Sequence, residues 1–483
     1  MFEDDFGGLA ERSHNFLLVC HRWFEVASTT PKVWSFWGNT LEDWVRLYPR
    51  SKTASLDLVL NHFTLPPIFN DEHLMKTLVN TLQEHASRGY IRRIHLKSRH
   101  PTLLTTMLSS LTVKGGDLLC NPIESFILET FQVIPVDVSD FFSHCHFPNL
   151  KRLKLSSCTI QSWNYLISAT SSLTVLSLGL KHPSPNPTMT QLLSLLGSNP
   201  LLQRVQLHSN MAPDDDDGVP SSRVRLNHLR HLNLTGGWQH VPRLHQQLDY
   251  PGALDSLTLT LPVCPVDKIS ETIKPHFWDH FKRGHREQCG LVLTVLYGGC
   301  IELDVGNVVE MDTESGVRMG KTIALSIRLG EIVTDDRRRE VVLDLFAQVR
   351  REEFVYLKVS DEPGKIEAMS RDVCANLPNL KTLHLVEMHL PTVFSKNDLG
   401  VYEAIPPELE HLTLELFRTD DSGWSPLTTF LADRAPSGKR LSTLKILFSD
   451  HIRPEVVEEI KGVVGSFAVI RNKDDCRFGC CFS

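Results

Sequence analysis

Three features are scarce in this sequence, and each absence excludes a class of protein. Positive charge is not in excess, because 50 lysines and arginines stand against 57 aspartates and glutamates, for a net charge of −7 at pH 7. A chain with this balance has no general attraction for nucleic acid, and we expect no nucleic-acid partner. Only 11 of 483 residues are cysteine, far below the density of a disulfide scaffold. No run approaches the roughly eighteen apolar residues of a membrane-spanning helix.

The cysteine usage and the first residues also predict a compartment. The cysteines are odd in number and scattered, which is typical of a reducing environment in which thiols serve as small buried apolar groups. Residues 1–5 read MFEDD, and this acidic start differs from the basic region of a secretory signal peptide. We therefore expect a cytoplasmic or nuclear protein, or one found in both.

Catalytic motifs are missing as well. The sequence contains no G-x-S-x-G and no H-E-x-x-H, so we expect neither an enzyme nor a cofactor. Residues 315–322 read SGVRMGKT and come nearest to a phosphate-binding loop, but serine replaces its first glycine. Residues 323–329 indicate a strand where that motif needs a helix. We interpret residues 315–322 as a turn, with a nucleotide-using enzyme as a third and least favoured hypothesis.

One short motif suggests metal binding. His144, Cys145 and His146 would bring two imidazoles together, but no second pair of ligands lies at the spacing that zinc requires. We interpret the motif as a loop that leads into the next part of the chain, and we expect no metal site.

What the sequence does contain is an internal repeat. Residues 148–155 read PNLKRLKL and residues 378–385 read PNLKTLHL, identical at six of eight positions. Looser copies of the pattern L-x-x-L-x-L, with other apolar residues in place of some leucines, form two series with steps of 23 to 32 residues. This is close to the roughly 20 to 29 residues of a leucine-rich repeat. The copies begin at Ile91, Ile123, Leu150, Leu173, Leu202, Leu229 and Leu254, and then at Phe354, Leu380, Leu409 and Leu441.

Each copy predicts a short strand, and the segments between copies predict helices. Leu153 and Leu155 alternate onto one strand face, whereas residues 189–196 have helical apolar spacing. Stacked units of this kind form an α/β leucine-rich-repeat solenoid, with parallel strands inside and helices outside. We assign the solenoid to residues 51–470, with an irregular section at 261–321 where irregular repeats or an insertion interrupt the register.

The strand face that points away from the leucines is the default binding surface of a repeat array. None of its mid-strand residues is acidic, which leaves a preference for acidic ligands as a hypothesis. The candidate target-binding residues are Lys154, Gln206, Asn233, Thr258, Lys358, His384, Thr413 and Lys445.

The N-terminal residues 1–50 differ from the repeats. An apolar stripe with helical spacing runs through residues 16–27, and a proline follows it. Leu18, Val19, Cys20 and Trp23, followed by Pro31 and Trp34, resemble the second half of an F-box. With leucine-rich repeats downstream, the chain resembles an F-box/leucine-rich-repeat protein.

This resemblance implies a function. Members of that family are substrate-recruiting subunits of cullin-RING (SCF-type) ubiquitin ligases. By the resemblance, Leu18, Val19, Cys20, Trp23, Pro31 and Trp34 would contact the Skp-type adaptor of the cullin complex. The repeats would hold a target protein for ubiquitin-dependent degradation, and the target is unknown.

Residues 1–12 do not show the first helix of an F-box, and this departure leaves alternatives open. Either the natural start lies further upstream or full adaptor binding has been lost. The alternative function is a non-catalytic leucine-rich-repeat interaction scaffold without ligase association, in which the N-terminal tryptophans cap the first repeat.

The C-terminal tail, residues 471–483, ends in CCFS, which fits the C-a-a-X prenylation pattern. Cys480 is the candidate prenylation site, and a membrane is a partner only if it is modified. The charges upstream of it are not polybasic, so we favour an unmodified end.

Overall fold

In a computed structural model, the chain divides into two compact units, Met1–Pro251 and Gly252–Ser483. The F-box-like segment, the tail and residues 266–288 lie outside the described residues. Among the helices that are described, none combines the length and apolar character needed to span a membrane. The structure describes residues 55–62, 76–77, 79–80, 82–84, 90–111, 122–130, 135–180, 186–209, 223–251, 254–265, 289–296, 300–312, 316–329, 334–346, 354–360, 372–386, 390–397, 400, 402, 405–415, 424–447 and 452–470.

The first unit alternates strands and helices. Its elements are β1 (Leu56–His62), β2 (Ile91–Ser98), α1 (Pro101–Leu111), β3 (Ser125–Thr130), β4 (Val136–Asp137), α2 (Ser139–His144), β5 (Arg152–Ser156), β6 (Cys158–Thr159), α3 (Trp163–Ala169), β7 (Val175–Leu180), α4 (Met189–Gly197), β8 (Arg204–Ser209), β9 (Val224–Arg225), β10 (His231–Thr235), α5 (His240–Gln246) and β11 (Leu248–Asp249). Strands β1, β2, β3, β5, β7, β8 and β10 are neighbours in that order, and each pair is parallel. Two short parallel ladders, β4 with β6 and β9 with β11, accompany them.

The second unit combines parallel and antiparallel pairs. Its elements are β12 (Ser256–Cys264), β13 (Cys289–Leu296), β14 (Cys300–Asp312), β15 (Gly316–Leu329), α6 (Asp335–Phe346), β16 (Phe354–Ser360), β17 (Thr382–Val386), α7 (Leu390–Val393), β18 (His411–Glu415), α8 (Ser425–Arg434), β19 (Thr443–Leu447), α9 (Pro454–Val463) and β20 (Ser466–Ile470). Strands β16 to β20 are parallel and follow chain order.

The repeat pattern specifies the core of both units. Leu150, Leu153 and Leu155 are each 0 % exposed, and no apolar position of any of the eleven copies is more than 5 % exposed. Each copy coincides with a strand that pairs in parallel with a neighbour. Alternation along that strand turns the second and third apolar residues of the copy to the same buried face. The strand prediction is therefore confirmed for all eleven copies.

A recurrent backbone contact joins successive copies. The carbonyl of Glu124 accepts hydrogen bonds from the amides of Lys151 (2.8 Å) and Arg152 (3.1 Å). In the same way, the carbonyl of Lys151 accepts from Thr174 (2.7 Å) and Val175 (2.9 Å). The acceptor is each time the residue after the first apolar position of a copy. Equivalent acceptors are Thr174, Gln203, Lys381 and Glu410.

The helix predicted between two copies forms where its apolar spacing indicates. Helix α4 buries Met189, Leu192, Leu193 and Leu196. A capping box starts it, since Thr188 Oγ1 accepts from the amide of Gln191 at 3.2 Å and Gln191 Oε1 accepts from the amide of Thr188 at 3.1 Å.

The irregular section predicted at 261–321 includes strands that pair antiparallel rather than parallel. Strands β13, β14 and β15 pair antiparallel in succession, and the outer two run parallel to β16 and β12 respectively. Short connections between consecutive strands favour antiparallel pairing. Ile301, Leu303 and Val305 alternate along β14, and all three are at most 1 % exposed. The turn interpretation of residues 315–322 is wrong, because residues 316–322 lie within β15 and continue its ladder with β14.

Candidate binding surface on the strand face

The eight candidate target-binding residues all lie in the middle of strands, and each is half-buried. In the first unit, Lys154 aligns with Ser177, Gln206 and Asn233 across β5, β7, β8 and β10. In the second unit, Thr258 aligns with Ala324. The remaining four form one row across β16 to β19, namely Lys358, His384, Thr413 and Lys445.

Glu129, which sequence analysis missed, lies beside the first of these rows. It is 7 % exposed, and its Oε1 lies 2.8 Å from Nζ of Lys154. Its Oε2 lies 3.3 Å from Nζ of Lys97. Register explains the contact, because Glu129 of β3 aligns with Ser156 of β5, two residues beyond Lys154 and on the same face. The charge of Lys154 is therefore already compensated within the protein.

The second unit holds a similar arrangement around Glu415 at the end of β18. Nε2 of His384 donates to Oε2 of Glu415 at 2.8 Å, and Nζ of Lys358 lies 3.6 Å from the same oxygen. The hydrogen bond from His384, aided by the charge of Lys358, lowers the pKa of Glu415. Burial, with a contribution from the charge of Glu415, raises the pKa of nearby Tyr356 to about 12. Two candidate binding residues, Lys358 and His384, are thus held by one carboxylate.

A buried aspartate and a bulge organise the first strand pair. Asp57 is 1 % exposed, and its two oxygens accept from Arg92 Nε at 3.1 Å and Nη2 at 2.9 Å. Leu56 aligns with Ile91 whereas Asp57 aligns with Arg93, so Arg92 is an extra residue in β2 that turns its side chain towards Asp57. This bidentate pair raises the pKa of Arg92. Arg93 lies further away, with its Nη1 3.8 Å from the same carboxylate.

Three arginines, Arg93, Arg152 and Arg204, form a second row on this face, which we call the arginine row. They share one register position on β2, β5 and β8, with Ser125 and Val175 on the strands between them. Within the described parts of the chain, neither Arg152 nor Arg204 has a carboxylate at ion-pair distance. The second unit carries no arginine at the aligned positions of β16 to β20, which are Tyr356, Thr382, His411, Thr443 and Ser466.

The pKa of His95 is affected by the positive charges of the arginine row beside it. It lies on β2, and its Nε2 is 2.9 Å from Oγ of Ser125. Burial, followed by the positive charges of Arg152, Arg93 and Lys97, lowers the pKa of His95 to about 4. His95 is therefore neutral near pH 7, and the positive charge of this face comes from its arginines and lysines.

The surroundings of the histidine-cysteine motif and of two buried thiols bear on their reactivity. His144 ends α2, with its Nδ1 2.7 Å from the backbone oxygen of Asp140, and Cys145 is buried beside it. Over the described ranges, no group of His, Cys, Asp and Glu is arranged to hold a metal ion. Burial raises the pKa of both Cys158 and Cys374 to about 12, so neither thiol is a nucleophile near neutral pH.

The other predicted site residues lie outside the described residues. These are Leu18, Val19, Cys20, Trp23, Pro31, Trp34 and Cys480.

Comparisons with known proteins find little. No protein-family model matches the chain. No curated protein matches it either. Among solved structures, it resembles a chain in a crystal structure of a TLR13–ssRNA13 complex, with 13 % sequence identity and a TM-score of 0.23. The match covers 87 % of this chain and 46 % of that chain, so this chain spans less than half the length of its neighbour.

Proposed function

We propose that this protein is a non-catalytic recruiting protein, built as a leucine-rich-repeat solenoid whose strand face binds a target polypeptide. One observation carries the proposal: the repeat buries its apolar positions in every copy and leaves rows of half-buried polar side chains on the opposite strand face. Such a face offers many contacts and few reactive groups. It suits the recognition of a protein surface better than the chemistry of a small substrate.

The finer proposal is that recruitment serves ubiquitin transfer. Its support is the resemblance of Leu18, Val19, Trp23, Pro31 and Trp34 to the second half of an F-box. In this proposal the N-terminal segment binds a Skp-type adaptor, and the strand face presents the target to a cullin-RING ligase. Ubiquitin is transferred by other subunits, so no catalytic residue is needed here.

The test is a pull-down of the full chain with a purified Skp-type adaptor. We expect association, its loss in the Trp23→Ala/Trp34→Ala variant, and its retention in Trp44→Ala, which changes a tryptophan outside the F-box pattern. If the adaptor fails to associate even after an N-terminal extension is restored, the ligase role is wrong and only the scaffold remains.

The second candidate is an interaction scaffold without ligase association. The finding that no family model matches the chain, its N-terminal segment included, favours this candidate. The scaffold predicts target binding through the strand face with no adaptor in the complex. Co-purification of the natural protein would separate the two, because only a ligase subunit would bring the adaptor and cullin with it.

We also propose a cytoplasmic or nuclear location. In the described ranges, Cys145, Cys158, Cys264 and Cys374 are free and buried, which suits a reducing compartment. Membrane association requires prenylation of Cys480, and intact-mass analysis of the natural protein would reveal that added mass.

A further inference from the structure

We propose that the strand face of the first unit binds an acidic polypeptide segment, which crosses β5 to β8 and pairs its carboxylates with Arg152 and Arg204. This inference rests on the proposed recruiting function, because it names the chemistry of the target that the strand face would hold.

The first argument is the balance of charge on this face. Its two carboxylates, Asp57 and Glu129, are buried and already held, the first by Arg92 and the second by Lys154 and Lys97. In the described part of the first unit, Arg152 and Arg204 have no such partner. On this face, Lys154 and Lys97 are therefore compensated cations, and Arg152 and Arg204 of the arginine row supply the positive charge that remains.

Spacing gives the second argument. Arg152 and Arg204 are two strands apart at the same register. Neighbouring strands lie about 4.8 Å apart, which separates the two Cα atoms by roughly 10 Å. A peptide in the polyproline II conformation rises about 3.1 Å per residue with about three residues per turn, so carboxylates three residues apart lie on one side of it and match this separation. Each guanidinium is suited to bind a carboxylate through two hydrogen bonds.

Two further observations limit the kind of partner. The register positions of this face from β1 to β10 include no Phe, Tyr or Trp on which a nucleotide base could stack. A polypeptide therefore fits better than single-stranded nucleic acid. The corresponding strand positions of β16 to β20 carry no arginine, so this row is a feature of the first unit and not of those strands.

The experiment uses the full chain and a fluorescein-labelled peptide of five Gly-Ser-Asp triplets. A neutral control peptide has Asn in place of each Asp. Binding is measured by fluorescence anisotropy at low and physiological salt. We expect Arg152→Glu/Arg204→Glu to raise the dissociation constant about tenfold or more. Each substitution removes a charge-assisted hydrogen-bonded pair and places a negative charge against the peptide. The matched control is Arg223→Glu/Arg243→Glu, which makes the same change of charge at exposed residues that lie outside the strands. It should leave the dissociation constant within about twofold of the native value.

Several outcomes would overturn the inference. These are no binding of the acidic peptide, equal binding of the neutral peptide, or equal losses in the two double variants. Tighter binding of an oligouridylate of equal charge, lost in Arg152→Glu/Arg204→Glu, would assign the face to nucleic acid instead. Should the Glu variant unfold, Arg152→Gln/Arg204→Gln replaces it. The adaptor pull-down is independent of these residues, so its failure and the failure of peptide binding are distinguishable.

Discussion

Oδ1 of Asn199 accepts a hydrogen bond of 3.0 Å from the backbone amide of Leu173, and this contact ties two successive copies of the repeat together. Asn199 is 0 % exposed, and its Nδ2 donates to the backbone oxygen of Leu195 at 2.9 Å. One side chain therefore satisfies a buried donor at the start of one copy and an acceptor in α4, the helix that leads to the next copy.

Asn199→Ala is expected to lower the free energy of unfolding by about 1 to 3 kcal/mol, because it leaves the amide of Leu173 buried without a partner. Urea denaturation followed by circular dichroism measures the change. Asn227→Ala, at an exposed position, is the control and should change little. Equal midpoints for the two variants would contradict a linking role for Asn199.

Lys154→Met is expected to destabilise the protein by about 2 kcal/mol, because the buried carboxylate of Glu129 then retains Lys97 alone among the described cations. Glu129→Met/Lys154→Met should cost less than the two single changes together. A double-mutant cycle measures this coupling. The exposed pair Lys439 and Glu408, 3.2 Å apart, is the control and should couple by less than about 1 kcal/mol. Strictly additive effects at Lys154 and Glu129 would refute the interaction.

The lowered pKa of His95 predicts acid sensitivity. The imidazole has a pKa of about 4 when folded and about 6.5 when unfolded, so only the unfolded chain binds the proton between these values. Stability is therefore full above pH 6.5 and falls as the pH drops towards 4. We expect His95→Gln to lose less stability than the native chain between pH 7 and 4.5, measured by urea midpoints. Arg152→Gln should also reduce the dependence, since it removes one of the charges that lower this pKa. Parallel pH profiles for all three proteins would show that His95 is not responsible.

Cys158 and Cys374 are expected to resist alkylation in the folded protein. With a pKa of about 12 for each, the thiolate fraction at pH 8 is about one in ten thousand. Peptide mass mapping after iodoacetamide treatment should find both unmodified, and both fully modified after urea denaturation. Rapid modification without urea would mean that burial does not protect them.

Local pattern was sufficient for most strands and for α4, since the spacing of apolar residues is a property of neighbours in the chain. It also located the mid-strand residues such as Lys154 and Lys358. Glu129 and Glu415 lie outside that set, because the repeat pattern marks one mid-strand residue per strand. The next outward position on each strand would have included both.

Other features depend on partners that are distant in the sequence. Residues 315–322 indicate a turn when the segment is considered alone, yet pairing with β14 makes residues 316–322 part of a strand. Likewise, β15, β14 and β13 follow β12 in the reverse of their chain order, because β12 pairs with β15 and β16 pairs with β13. The extra residue Arg92 in β2 becomes meaningful only opposite Asp57.

By itself, the sequence determined the repeat, the strand of each copy and the buried apolar positions, because these follow from periodicity along one segment. Only the tertiary structure decided which charges on the strand face are compensated. That outcome depends on cross-strand register, which sets Glu129 beside Lys154 and Glu415 beside His384 while Arg152 and Arg204 stay without a carboxylate in the described part of the chain. Residues 23 to 31 positions apart in the sequence thereby become neighbours on one face.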